Sequence, residues 1–202
     1  MLANIKYDSS RHNKEIKWNS GNWIFIDIGF ANKSRSCGML FGNGNPSEVT
    51  FNEATELICD YLSKQQIATN LVIEAPLSVC FDVKGNPTDR KPEKKNGKTR
   101  YRYVGLCCTV MVAAFYLLRA ITDSNPPAEV RLFEGFVSFK DSDNTSNHSN
   151  DVILLRDAVI NTKPGSIIDP EDFKMKKSDM VSSAFKVGSM DYGVPPIIQN
   201  HG

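Results

Sequence analysis

The chain is poor in the features that make the simplest functional assignments. Its five cysteines, Cys37, Cys59, Cys80, Cys107 and Cys108, are odd in number and form no Cys-x-x-Cys pair. That argues against a thioredoxin-like redox motif and a cysteine-built zinc site, and leaves reduced, buried thiols in a cytoplasmic protein as the expectation. The three histidines, His12, His148 and His201, are too scattered for a zinc cluster. Net charge is only +1, so global charge announces no nucleic-acid partner. There is no P-loop, no Gly-x-Gly-x-x-Gly and no internal repeat. The most apolar stretch, around Leu106–Ala120, is too short and interrupted to span a bilayer. Residues Met1–Asn22 are polar and lack the apolar segment of a secretion signal, so no membrane is expected as a partner.

What is there is a chain of 202 residues, 41% hydrophobic and 23% charged, enough for one domain with a sizeable core. Two apolar runs stand out, and both end in an acid. Trp23-Ile24-Phe25-Ile26 leads into Asp27, and Leu71-Val72-Ile73 leads into Glu74. Runs of large and β-branched residues read as strands buried on both faces. An unpaired carboxylate there would cost several kcal/mol, so each acid demands a cation, a metal or a proton.

The remaining pattern places these strands. An arm, residues 1–21, precedes a core over 22–160, and an extension over 161–202 is expected to pack on it. Ser36–Phe41 and Glu48–Phe51 read as strands two and three, and Asn52 as the cap of a helix over Glu53–Gln66 with Leu57, Ile58 and Leu62 inward. A polar loop over Phe81–Tyr101 separates strand four from a helix over Gly105–Ile121. Strand five is Glu129–Phe133, with Glu134 at its end. A helix follows from His148 or Asp151 to Ile160, and a short one covers Asp179–Val187. The order is β-β-β-α-β-α-β-α, an α/β class with a mixed five-stranded sheet. Right-handed crossovers make strands one, four and five parallel neighbours, which gathers Asp27, Glu74 and Glu134 along one sheet edge.

Close carboxylates repel unless a cation intervenes. A few hard oxygen ligands suit Mg²⁺ or Mn²⁺, which leave positions open for water and phosphate. Two such ions about 4 Å apart support phosphodiester cleavage. A third ligand should come from the last helix. Asp151 is continuous with apolar Leu155 and Ala158, so it should face the sheet. Asp179 lies on a polar face with Ser182, Ser183 and Lys186 and is held in reserve, as is Glu134. His148 is the candidate for proton transfer.

Taken together, these motifs resemble those of the RNase H-like superfamily, closest to RuvC-type resolvases and uncharacterised predicted RNase H-like nucleases. Ile26-Asp27-Ile28-Gly29 followed by Ser36-Cys37-Gly38 is similar to their Asp-x-Gly hairpin. Ile73-Glu74-Ala75-Pro76-Leu77 looks like their strand-four acid, and His148-Ser149-Asn150-Asp151 resembles the His-x-x-Asp start of their final helix. The resemblance covers residues 22–160. It implies an RNase H-like fold and a Mg²⁺- or Mn²⁺-dependent nuclease with Asp27, Glu74 and Asp151 as catalytic metal ligands. The chain departs from the pattern at Leu154, where a second acid often stands.

A basic run supports a nucleic-acid partner, DNA or RNA. Arg90, Lys91, Lys94, Lys95, Lys98, Arg100 and Arg102 fall within thirteen residues, opposed only by Glu93 and interleaved with Tyr101 and Tyr103. Lys94, Lys95, Lys98, Arg100 and Arg102 are the expected phosphate contacts, with Lys140 as a further one. Two rivals stand beside the nuclease: a non-catalytic nucleic-acid-binding module of the same fold, for which Leu154 speaks, and a single-domain nucleotide binder of the actin and sugar-kinase type.

Overall fold

The computed structural model describes residues 16–29, 34–95, 98–99, 105–137, 147–188, 190 and 192–200. Strands β1 (Asn22–Ile28), β2 (Cys37–Phe41) and β3 (Ser47–Val49) form an antiparallel meander. Helix α1 (Phe51–Ser63) follows. Its cap is Thr50 rather than Asn52. The Thr50 hydroxyl accepts from the Glu53 N–H, and the Glu53 carboxylate accepts from the Thr50 N–H. Only Thr50 has a glutamate three residues on, which closes this capping box and contributes about 1 kcal/mol. Ala54, Ile58 and Leu62 face the core, whereas Leu57 is 45% exposed.

Strand β4 (Thr69–Glu74) returns beside β1. The expected polar loop carries structure of its own. It is preceded by β5 (Ser78–Phe81), and it holds β6 (Pro87–Thr88), a 3-10 turn over Lys91–Glu93, and an antiparallel pair of β7 (Lys94–Lys95) and β8 (Lys98–Thr99). Helix α2 (Gly105–Ser124) leads into β9 (Val130–Val137) and then α3 (His148–Ile160). The remaining strands are β10 (Ile167–Ile168), β11 (Met180–Ser183) and β12 (Ile197–Asn200).

The main sheet has seven strands, in the order β10-β12-β9-β4-β1-β2-β3, not the expected five. The two added strands come from the extension. Ile197 and Ile198 are buried and pair parallel to β9, and β10 closes that edge antiparallel to β12. The helix expected over Asp179–Val187 is also absent. Met180–Ser183 instead forms β11 on the free edge of β5, followed by a 3-10 turn over Ala184–Gly188. Local sequence favoured a turn of helix there, and a non-local strand partner overrode it.

Register decides what each face carries. Ile24, Ile26, Leu71, Ile73, Val130 and Leu132 join Ile58, Leu62, Leu117 and Leu118 of α1 and α2 in one core. Trp23, Phe25, Val72, Phe133 and Val137 pack on the other face against Val152, Leu155 and Val159 of α3. There Trp18, Trp23 and Phe25 stack within 10° of parallel, and Trp23 Nε1 donates to the Trp18 carbonyl at 2.8 Å. Among the described residues no helix is long and apolar enough to cross a membrane.

Candidate metal centre

Asp27 and Glu74 are direct neighbours in the parallel β1–β4 ladder, and both are buried. Residues in register on adjacent strands share a face, and these alternate with Ile26 and Ile73, so both acids belong to the α3 side. The first turn of α3 sits over them. Asn147 caps the helix through its side-chain oxygen, which accepts from Asn150 N–H. His148 and Asp151, three apart, then share one helical face. His148 Nδ1 lies 2.6 Å from Asp27 Oδ2, and ligand atoms of Asp27, His148 and Asp151 all fall within 4.8 Å of one another. Asp151 is buried, and the His148 side chain keeps 12% of its surface exposed. The positive end of the α3 dipole favours an acid at this position.

Two glycines make this approach possible. Gly38 is the β2 partner of Asp27. A Cβ on it would stand 2.1 Å from the His148 carbonyl oxygen, and a Cβ on Gly29 would stand 2.2 Å from His148 Nε2. The hairpin that carries Asp27 is thus hollowed on both sides for the backbone and ring of His148. Further along, Gly135 lets Leu155 of α3 come down beside Glu74. A Cβ there would lie 2.8 Å from Leu155 Cδ1 and 3.3 Å from Glu74 Cα.

The mutual three-ligand set is therefore Asp27, His148 and Asp151, with Glu74 in register beside it rather than within it. The sequence reading gave His148 only proton transfer. Its spacing from Asp151 and the glycines opposite it are the sequence signals of its place beside Asp27. Two carboxylates and an imidazole form a mixed oxygen and nitrogen donor set: the carboxylates suit Mg²⁺ or Mn²⁺, and the imidazole suits Zn²⁺ and other first-row metals as well.

The other acids go elsewhere. Strand β9 does not stop at Phe133 but continues to Val137, because β12 supplies a partner for its second half. Glu134 is consequently mid-strand. It is level with Ile73 and so lies on the face opposite Asp27. There it is fully buried and meets Arg90 two-pronged, Nη1 to Oε2 at 2.8 Å and Nη2 to Oε1 at 2.7 Å. Arg90 also donates Nε and Nη2 to Glu93 Oε1 and Nη1 to Ser78 Oγ. All five of its N–H groups are thereby used. Arg90 begins the basic run in sequence, yet it offers no donor to a phosphate.

Burial pushes the Glu134 carboxyl up, against the pull of Arg90 and the Leu77 N–H. Burial also opposes the Arg90 charge, but Glu134 and Glu93 outweigh it and hold the guanidinium above its ordinary value. The short two-pronged geometry decides for the ionised form.

Asp179 is buried in a turn, where its Oδ2 accepts from Lys176 N–H at 2.8 Å. It is not a member of the three-ligand set. Lys94 is paired with Asp89 at 2.7 Å. Lys94 and Lys95 face Thr99 and Lys98 across the β7–β8 hairpin. Arg100, Tyr101, Arg102, Tyr103 and Lys140 lie outside the described residues. No protein-family model, curated protein or solved structure matches this chain.

Proposed function

We propose that the protein is a metal-dependent nuclease with an RNase H-like core, hydrolysing phosphodiester bonds of DNA or RNA. The observation that carries this reading is the Asp27–His148–Asp151 donor set, with Glu74 level beside it at the C-terminal edge of parallel strands. The sheet order supports it too. Three antiparallel strands lead through helical crossovers into parallel β4 and β9, in the spatial order β3-β2-β1-β4-β9, as the resemblance implies.

Asp27, His148 and Asp151 would hold the ion, and Glu74 would extend the site toward β4. A divalent Mg²⁺ or Mn²⁺ supplies Lewis-acid polarisation of the phosphoryl oxygen and a more acidic bound water. Asp27 orients the His148 ring through Nδ1. The imidazole must be neutral to act as a ligand, so binding releases any proton on the ligating nitrogen. The buried walls from Phe25, Val72 and Leu155 limit water around the acids. Leu154 packs against that same core, so a second helix acid is replaced by an apolar contact, and His148 fills out the donor set instead.

The deciding experiment is cleavage of labelled single- and double-stranded DNA and RNA with Mn²⁺ or Mg²⁺. Asp27→Asn should abolish it with folding intact, by about 10³-fold or more, the scale of losing a group that stabilises developing charge. Wild-type turnover in the Asp27→Asn protein would sink the reading. The β7–β8 segment should grip the backbone. Neutralising Lys94, Lys95, Lys98, Arg100 and Arg102 should lower the slope of log affinity against log salt by about one unit per lost phosphate contact. Equal slopes would remove this segment from the interface.

A further inference from the structure

The turn after Glu74 is buried and is held at several points. Ala75 N–H closes back on the Ile73 carbonyl at 2.9 Å. Two residues on, Leu77 is fixed from both sides. Its N–H donates to Glu134 Oε2 at 2.9 Å, and its carbonyl accepts from Ala184 N–H at 3.0 Å. The first holder is the carboxylate that Arg90 clamps. The second belongs to the C-terminal extension, whose β11 lies along β5. Arg90 also stands 5.8 Å from the centre of the Phe173 ring, again in the extension. One guanidinium therefore binds β9 through Glu134, β5 through Ser78 and the 3-10 turn through Glu93, and touches the extension through Phe173.

We infer that Arg90 and Glu134 are positioning residues for Glu74: their buried pair fixes the Ala75–Leu77 turn and so sets the Glu74 carboxylate level with Asp27. The inference rests on the metal-centre reading above, because it assigns Glu74 a place in that centre. The physical reasoning is short. Glu74 is the last residue of β4, and the ladder beyond it ends. Without a hold on the next peptides, the end of a strand frays. Glu134 faces away from Asp27, yet its carboxylate reaches the backbone that leaves Glu74. A carboxylate free to swing would abandon that backbone bond. Arg90, with every N–H occupied, prevents the swing. The clamp thus acts on the far side of the sheet from the metal ligands and contributes no ligand itself. Supports of this kind commonly change metal affinity by about 10–100-fold when removed.

The test is a double-mutant cycle read by Mn²⁺ affinity, measured by titration calorimetry and by the free-ion electron paramagnetic resonance signal. The clamp variant is Arg90→Met with Glu134→Leu, which removes both charges together and avoids stranding one partner. Glu93 lines an open cavity of about 190 Å³ beside Arg90, so water can solvate it in this variant. Circular dichroism and a cooperative melt establish folding. The expected result is about a tenfold loss of Mn²⁺ affinity, and no further loss when Glu74→Gln is already present. Arg90→Lys is the second variant. It keeps one charge but cannot serve Glu134, Ser78 and Glu93 at once, so about a threefold loss is expected with the same dependence on Glu74. Equal losses with and without Glu74, or no loss at all, would overturn the positioning role while leaving the metal centre standing. Failure of the wild-type protein to bind Mn²⁺ would instead overturn the metal centre, and the positioning role with it.

Discussion

Two sets of buried acids lie near the same end of the central sheet, on opposite faces, and the chain treats them differently. On the α1–α2 side, Glu134 and Glu93 converge on Arg90, a fully buried cation with all five donors engaged. On the α3 side, Asp27 and Asp151 converge on His148, a group that need not carry charge. The first set is complete as a structural joint. The second brings ligand atoms together through the close approach of α3, which two glycines permit. Burial alone therefore does not set these two groups of acids apart; the residue each group meets does, a guanidinium on one face and an imidazole on the other.

The comparison can be broken at its strongest point first. Arg90→Ala should leave the fully buried Glu134 carboxylate without its cation and destabilise the protein by about 3–5 kcal/mol, read by urea or guanidinium unfolding. A loss below about 1 kcal/mol would mean that the joint is not structural. Next comes the α3 side. Gly38→Ala presses a methyl onto the His148 backbone, where nothing flexible can give way. It should destabilise by about 3 kcal/mol, at the upper end for overpacking, and should weaken Mn²⁺-induced thermal stabilisation. An unchanged melting temperature would show that α3 can lift without penalty.

The smallest effect belongs to Cys80, which lines the cavity beside Arg90 and Glu93. Burial pushes its thiol up to about 11, with Arg90 pulling the other way. A group whose folded pKa is raised contributes stability that is complete below its unfolded value and is lost as pH rises through the folded one. The window is therefore about pH 9 to 11, where that contribution should disappear. Cys80→Ala should flatten that part of the stability–pH curve relative to wild type. An unchanged slope would place the titration on other groups.

Much of this arrangement was legible in the chain, for identifiable reasons. Asp27 and Glu74 end apolar runs that only a central strand explains, and Asp151 heads an apolar helical face. The seven-stranded sheet was not legible, because β12 gains its identity from a non-local neighbour. Glu134 was misplaced for a related reason. Strand β9 is apolar on both faces, so nothing local says that the strand continues or which side the acid takes. Arg90 was hidden by its company, since composition averages one buried guanidinium into a run of lysines. Glu93, three residues on, was the available clue. The closeness of His148 to Asp27 was not legible, because a residue at a loop–helix boundary has no periodicity, although Gly29 and Gly38 border the space it fills.

The aromatic stack at the start of β1 gives the molecule an optical handle. The chain has only two tryptophans, and both belong to that stack, Trp18 at its edge and Trp23 within it. Their rings lie 5.8 Å apart and 6° from parallel, close enough for their electronic transitions to couple. The folded protein should show an exciton couplet in its far-ultraviolet circular dichroism that the unfolded chain lacks. Trp23 also stands on the strand that carries Asp27, with Phe25 between them in the same stack. That couplet reports whether that one strand is seated, without any label being attached.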